Sequence, residues 1–498
     1  MTILAESIEH EAGEQRRGVA RFAVSQGLWA WPALATLALA LFSAGDPLLG
    51  TDELVTWDVG RRSMPQLWGL VQNAAAMHGA YYALMHGWMA VFGDSPMAMR
   101  LPSALAMSVA AALVAMTGCR LFGRRAGLYG GLLFALIPVA SRFGQEARGC
   151  AMVVMAVMLA THLLIKALDR PGNRVLWAGY ALCVASVGLL DIVALLALMG
   201  HLLAVILRAR HGLRVLVPFG LSVLAGVACV VPLAVVVKGQ AVKQHYWVPK
   251  PDGWGLLAIW PQVFASAVCG GAVIALAALA WRENREGAAL LTGTAVAPPL
   301  VLWLASFGDA SYFRYEYLVF TAPVWATLAG AGIAGVTRSW LPAAAGLAVL
   351  AVLVLPDQHR IRGTFEHDKP HNANYAGAAR IVELFHRPGD AAVLVRGAPW
   401  MLDQGIRYYL PRDVKLRDVF FAKSAADNNE LYPAYCPSPN KCLKDEKRIW
   451  LVVPGSGADP FAPVPPNQAA ALRARYATSW TYRLSGLTVT LLQSKVTG

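Results

Sequence analysis

The sequence predicts a polytopic α-helical membrane protein that ends in a separate α/β domain. Three observations carry that prediction. Of 498 residues, 57% are hydrophobic and 15% charged, against about 45–50% apolar and about 25% charged in ordinary globular domains. The apolar residues gather in stretches of about 20 with hardly a charge, long enough to cross a hydrocarbon core of about 30 Å. Beyond about residue 357 the pattern changes to short mixed segments that suit a small folded domain.

The elements follow in order. Residues 1–26 are polar, hold Arg16, Arg17 and Arg21, and read as a cytoplasmic tail; the apolar run after them lacks a signal-type cleavage site. About eleven spans are expected, at 28–46, 98–118, 127–143, 149–167, 175–193, 195–207, 215–237, 255–280, 288–306, 317–336 and 340–356. Basic residues orient them. With the N-terminus inside, Arg120, Arg124, Arg125, Lys166, Arg170, Arg174, Arg208, Arg210, Arg214, Arg282, Arg285 and Arg338 all fall on the cytoplasmic side. Residues 27–356 are then the transmembrane domain, with 47–97, 142–148, 238–254 and 307–316 outside. Within 47–97, Met64–Met77 and Ala80–Phe92 read as helices along the membrane surface, supported by Trp68, Tyr81, Tyr82 and Trp88 as interfacial aromatics.

Residues 357–498 read as an extracytoplasmic α/β domain large enough for its own core. Asn372–His386 and Trp400–Leu410 are expected as helices, with a third near Gln468–Tyr476. Ala391–Val395, Ile449–Val453 and Leu487–Leu492 are expected as strands. Cys436 and Cys442 flank a polar loop, where either a disulfide or two free thiols would fit; a bridge would place the domain in an oxidising compartment. The other five cysteines lie in apolar segments and read as small buried hydrophobes. Net charge is +13. In a soluble chain that would suggest nucleic acid, but basic cytoplasmic loops account for much of it here, and no nucleic-acid partner is expected.

Every polar cluster of functional character falls outside. Asp52-Glu53 follows the first span; adjacent acids at a membrane rim need hydration or partners and so point to a site. The pair would equally start an interfacial helix, complementing its dipole. Ser141–Arg148 is a dense polar turn that holds Arg142, Glu146 and Arg148, either a site or a hairpin whose charges satisfy one another. The loop Lys238–Lys250, with Lys243, His245 and Tyr246, breaks the positive-inside pattern; an anionic ligand or anionic lipid would explain it. Tyr312–Tyr317, with Arg314, suits a ligand contact or an interfacial anchor. The set combines carboxylates able to take a proton with arginines whose planar fork suits phosphate oxygens. Metal cages and nucleotide motifs are not recognisable.

Asp52-Glu53, Phe92-Gly93-Asp94-Ser95, Met99-Arg100-Leu101-Pro102, Arg124-Arg125, Gln145-Glu146-Ala147-Arg148 and Arg387-Pro388-Gly389-Asp390 stand in an order that resembles the GT-C superfamily of integral-membrane glycosyltransferases. The branch is that of protein O-mannosyltransferases and lipid A aminoarabinose transferases. The resemblance implies a GT-C fold and an inverting transfer of sugar from a polyprenyl-phosphate donor. It implies Asp52 as general base, Glu53 as its neighbour and Glu146 as a second acid. Arg148, Arg314 and Lys243 would hold the lipid phosphate. His78-Gly79-Ala80-Tyr81-Tyr82 departs from the family's His-Pro-Pro-type segment. That puts the usual phosphate contact there in doubt and shifts weight to the Lys238–Lys250 loop, though His78, Tyr81 and Tyr82 stay candidate substrate contacts. No cofactor or metal is implied beyond the lipid-linked sugar. The acceptor would be a hydroxyl of a glycan, lipid or protein, and the location a bacterial inner membrane, multi-pass. The alternative is a transporter or flippase for a polyprenyl phosphate or other anionic lipid, which would keep its charged groups near mid-bilayer.

Overall fold

A computed structural model describes residues 27–210, 212–245, 248–308, 311–337, 339–363, 373–397 and 400–495, without the side chains of 241–245. Each apolar stretch expected to span falls on one helix or on one bent helix pair. Among the described residues, six helices are long and apolar enough to cross a membrane, or nine if each bent pair counts as one span. Ala30–Leu41 and Arg174–Leu190 are shorter apolar helices. An apolar helix suits lipid because it satisfies its backbone internally. Small residues then let helices approach closely: a Cβ on Gly330 would stand 2.5 Å from the Gly130 Cα, so Arg124–Leu136 and Ala322–Val336 pack backbone against backbone.

The expected span 255–280 is not one rod. Gly255–Val263 meets Ala267–Arg282 at 105°, and Ala265 takes a φ of 53° at the corner. The Ser266 hydroxyl then caps the new helix by accepting from the Cys269 N–H at 3.2 Å. Hydropathy runs unbroken through the corner, which is why composition alone hides it. The 47–97 stretch carries three α-helices, Thr51–Gly60, Met64–Asn73 and Gly79–Phe92, with a 3-10 turn at Ala76–His78, so the α-helix expected over Met64–Met77 ends four residues early.

Charged clusters mark the two ends of the helical domain. Arg120, Asp169 and Arg208 stand at the ends of Pro96–Phe122, Cys150–Asp169 and Ile192–Ala209, and they meet, with Arg120–Asp169 at 2.6 Å and Arg208–Asp169 at 4.0 Å. Those ends therefore share one side. The opposite ends begin near Arg100 and Cys150, beside the Asp52–Arg148 cluster.

The C-terminal part is an α/β unit with a five-stranded sheet in the order β2-β1-β5-β7-β6. The strands are β1 Ala391–Leu394, β2 Arg417–Asp418, β3 Phe421–Lys423, β4 Ala434–Tyr435, β5 Arg448–Pro454, β6 Tyr476–Leu484 and β7 Leu487–Ser494; β3 and β4 form a separate pair. β1 pairs in parallel with β5, and β5, β7 and β6 are antiparallel. The helices Tyr375–Phe385, Leu402–Tyr409 and Pro466–Arg475 match the expected ones, but the last stops before Tyr476, where β6 begins. β6 is an edge strand with mostly exposed residues, so it has no buried alternation to read. Arg387–Asp390 closes the turn into β1: the Asp390 carboxylate accepts from the Arg387 N–H at 3.0 Å and from the Trp450 indole at 2.9 Å.

Cys436 and Cys442 form a disulfide six residues apart. Closing so short a loop removes modest unfolded-state entropy, about 2 kcal/mol. Replacing both cysteines by serine is expected to destabilise this unit by that amount, read from the unfolding transition by the fluorescence of buried Trp450.

Candidate active site

The site is built on the short helix Thr51–Gly60. Asp52 and Glu53 occupy its first turn, where acids complement the helix dipole. Consecutive helical residues point about 100° apart, and the two carboxylates meet different surroundings. Asp52 keeps 48% of its side chain exposed and lies 3.2 Å from the Arg148 guanidinium. The Glu53 side chain is 4% exposed and pairs with Arg100 at 2.7 Å.

Glu53 is buried and fully partnered. Its carboxylate accepts from Arg100 Nε at 2.8 Å, from the Ala147 N–H at 2.9 Å and from the Gly50 N–H at 3.0 Å. Burial alone would raise its pKa, but Arg100 and those two backbone donors bring it below the usual carboxylate range. Arg100 also donates to the carbonyls of Ala44, Pro47 and Leu48 at 2.7, 3.0 and 3.2 Å. One buried arginine thus ties the chain leaving the first apolar helix to the helix that carries Asp52. Its role was missed in the sequence, although a lone charge at the start of a long apolar helix is a signal that it needs a partner.

The turn Gln145–Arg148 is held against the same helix. The Ala147 N–H donates to Glu53, and the Ala147 carbonyl accepts from the Thr56 hydroxyl at 2.9 Å. That double tether is why Arg148 reaches Asp52. Arg148 also lies 3.4 Å from buried Glu146. Burial works against its charge, but Asp52 and Glu146 hold the Arg148 pKa well above the usual range, so it stays a cation.

The remaining candidates fall into three groups. Tyr81 and Tyr82 are buried on Gly79–Phe92, and the His78 ring meets Tyr82 edge-on at 5.9 Å. Burial, then the charge of Asp52, pushes the Tyr82 hydroxyl pKa up; burial and then Glu53 do the same for Tyr81. Arg314 ion-pairs with Glu316, and the Glu316 charge reaches Arg148. Arg142 lies over the Tyr315 ring at 5.3 Å. Lys243, His245 and Tyr246 lie outside the described residues and side chains.

Residues 80–235 match the family model for dolichyl-phosphate-mannose-protein mannosyltransferase, which takes in Tyr81, Tyr82, Arg100, Glu146 and Arg148. Among solved structures, the chain is similar to ArnT from Cupriavidus metallidurans bound to undecaprenyl phosphate. The TM-score is 0.62 at 14% identity, covering 95% of this chain and 97% of that one. The chain has the GT-C fold. ArnT from the same organism in the apo state is similar too, with a TM-score of 0.59, 13% identity and coverage of 96% and 98%. No curated protein matches the chain by sequence. The GT-C likeness runs through both the helical domain and the C-terminal unit, and the charged site lies where these two meet.

Proposed function

We propose that the chain is an inverting glycosyltransferase that moves a sugar from a polyprenyl-phosphate donor to an acceptor hydroxyl. The observation that carries this reading is the 3.2 Å approach of a half-exposed carboxylate, Asp52, to a cation, Arg148, at the rim of an apolar helical domain. A hydroxyl is a poor nucleophile and needs a base within about 3 Å or through one water. Phosphate leaves readily once cations offset the charge growing on its oxygens. The acceptor proton passes to Asp52, the acceptor oxygen bonds to the anomeric carbon, and the bond from that carbon to the phosphate oxygen breaks. Polyprenyl phosphate departs with its negative charge held by Arg148 and Arg314. Asp52 is a counterion of Arg148; a donor phosphate on Arg148 takes over that role and frees the carboxylate to act. The undecaprenyl phosphate bound to the similar ArnT structure supports a lipid phosphate as ligand.

The topology fits the same reading. With about eleven spans and the N-terminus inside, the Arg120–Asp169–Arg208 cluster is cytoplasmic, in line with the positive-inside rule. The Asp52 site and the C-terminal unit are then extracytoplasmic, where the Cys436–Cys442 disulfide suits an oxidising compartment. A bacterial inner membrane supplies both the lipid donor and that compartment.

The test uses purified protein in lipid nanodiscs with a panel of radiolabelled polyprenyl-phosphate sugars and extracted envelope acceptors. Transfer with release of polyprenyl phosphate is expected for one donor. Arg148→Ala is expected to weaken donor affinity about tenfold or more, the loss of one charge-assisted contact of about 1.5–3 kcal/mol, with a smaller effect for Arg314→Ala. Unchanged donor affinity in both variants would place the phosphate elsewhere and remove the cradle.

A further inference from the structure

The helix that carries Asp52 is held from two sides. The membrane side grips it through Arg100 and Ala147. The other grip comes from three consecutive residues of the C-terminal unit, Arg407-Tyr408-Tyr409, at the end of helix Leu402–Tyr409. Tyr409 Oη accepts from the Leu49 N–H at 2.8 Å, just ahead of the helix. The Tyr408 ring meets Trp57 edge-on at 5.2 Å, and its hydroxyl donates to the Asp94 carbonyl at 3.2 Å. Arg407 ion-pairs with Asp58 and lies over the Trp57 ring at 5.3 Å. The segment leading into one short helix, and Trp57 and Asp58 in the second half of that helix, are thus fastened to one turn of another, about 350 residues downstream.

Asp52 itself reaches out half-exposed toward Arg148, so its aim is set by the pose of the helix beneath it. We infer that Arg407-Tyr408-Tyr409 is a positioning element for Asp52, which makes the C-terminal unit a working part of the transfer site. This rests on Asp52 acting as the base. The Tyr409 hydroxyl bonds the backbone ahead of the helix, and Arg407 is 64% exposed and paired with Asp58; neither is among the groups assigned to the donor phosphate.

Tyr409→Phe deletes the oxygen that receives the Leu49 N–H and keeps the ring; Arg407→Met deletes the charge and keeps most of the stem. An error of about 1 Å in placing a reacting group costs up to about 10²-fold. Each variant, as full-length protein in nanodiscs, is therefore expected to lose about tenfold or more in kcat. The donor KM and the thermal midpoint are expected to stay at wild-type values, while amide hydrogen exchange over residues 49–60 quickens. Arg407→Lys, which can still meet Asp58, is expected to recover part of the kcat. Two results overturn the proposal: wild-type kcat with quickened exchange, or losses in kcat, KM and thermal midpoint that move together as in a damaged fold. Asp52→Asn measured alongside separates the readings. If it is inactive while Tyr409→Phe is fully active, only the positioning role falls; if it turns over normally, the base assignment falls and takes this proposal with it.

Discussion

Asp52→Asn is expected to abolish sugar transfer while leaving the protein folded, inserted and able to bind the lipid donor. The substitution keeps the shape of the side chain and removes its charge and its ability to take a proton. Its structural cost is small, because the carboxylate is half-exposed and its ion pair with Arg148 is correspondingly solvated. Its chemical cost is large, since a positioned base is worth typically 10²–10⁴-fold in rate. Single-turnover transfer by purified variant, with donor saturating, measures the chemical step apart from binding. Donor affinity is expected to hold or tighten, because Arg148 no longer has Asp52 as a competing counterion. Turnover within tenfold of wild type would show that another group removes the proton.

The pair Asp52-Glu53 was legible in the sequence as a feature, but the different surroundings of its two acids were not. What separates the two acids is the rotation of about 100° between neighbouring helical residues and the partner each meets. Arg100 comes from 47 residues away and Ala147 from 94. Neither distance leaves a trace in local sequence pattern. The apolar spans were legible because length and hydropathy are local properties, and so was the alternation of basic loops. The right-angled corner at Ala265 was hidden because a bend changes no composition. β6 was hidden because an exposed edge strand has no buried face to mark its period. The grip of Arg407-Tyr408-Tyr409 on the Asp52 helix was equally silent: the sequence marks only the helix they end, and their partners lie in another domain.

Arg100→Met is expected to produce the largest loss of stability of any single change at the site. It leaves Glu53 buried against the Ala147 and Gly50 N–H groups with its countercharge gone, and breaking a buried pair from one side costs about 3–5 kcal/mol. The carbonyls of Ala44, Pro47 and Leu48 lose their donor as well. The pH dependence identifies the cause. In the wild type the folded-state pKa of Glu53 is depressed, so the native state binds fewer protons than the unfolded one. Its stabilisation is fully present above the ordinary carboxylate pKa of about 4.3 and fades as pH falls through the depressed folded value. Without Arg100, burial dominates and the folded-state pKa rises above its unfolded value. The variant should then gain stability as pH falls toward the carboxylate range, opposite in sign to the wild type. Thermal midpoints of detergent-solubilised protein taken from neutral pH to below the ordinary carboxylate pKa of about 4.3 read both slopes, the variant's in the mildly acid range and the wild type's below it. Glu53→Gln should remove the Glu53 contribution to either slope, because it leaves no carboxyl to titrate. Parallel slopes in wild type and Arg100→Met would mean that Arg100 is not what keeps Glu53 ionised, and the anchoring of the Asp52 helix would have to come from the Ala147 tether and the C-terminal grip instead.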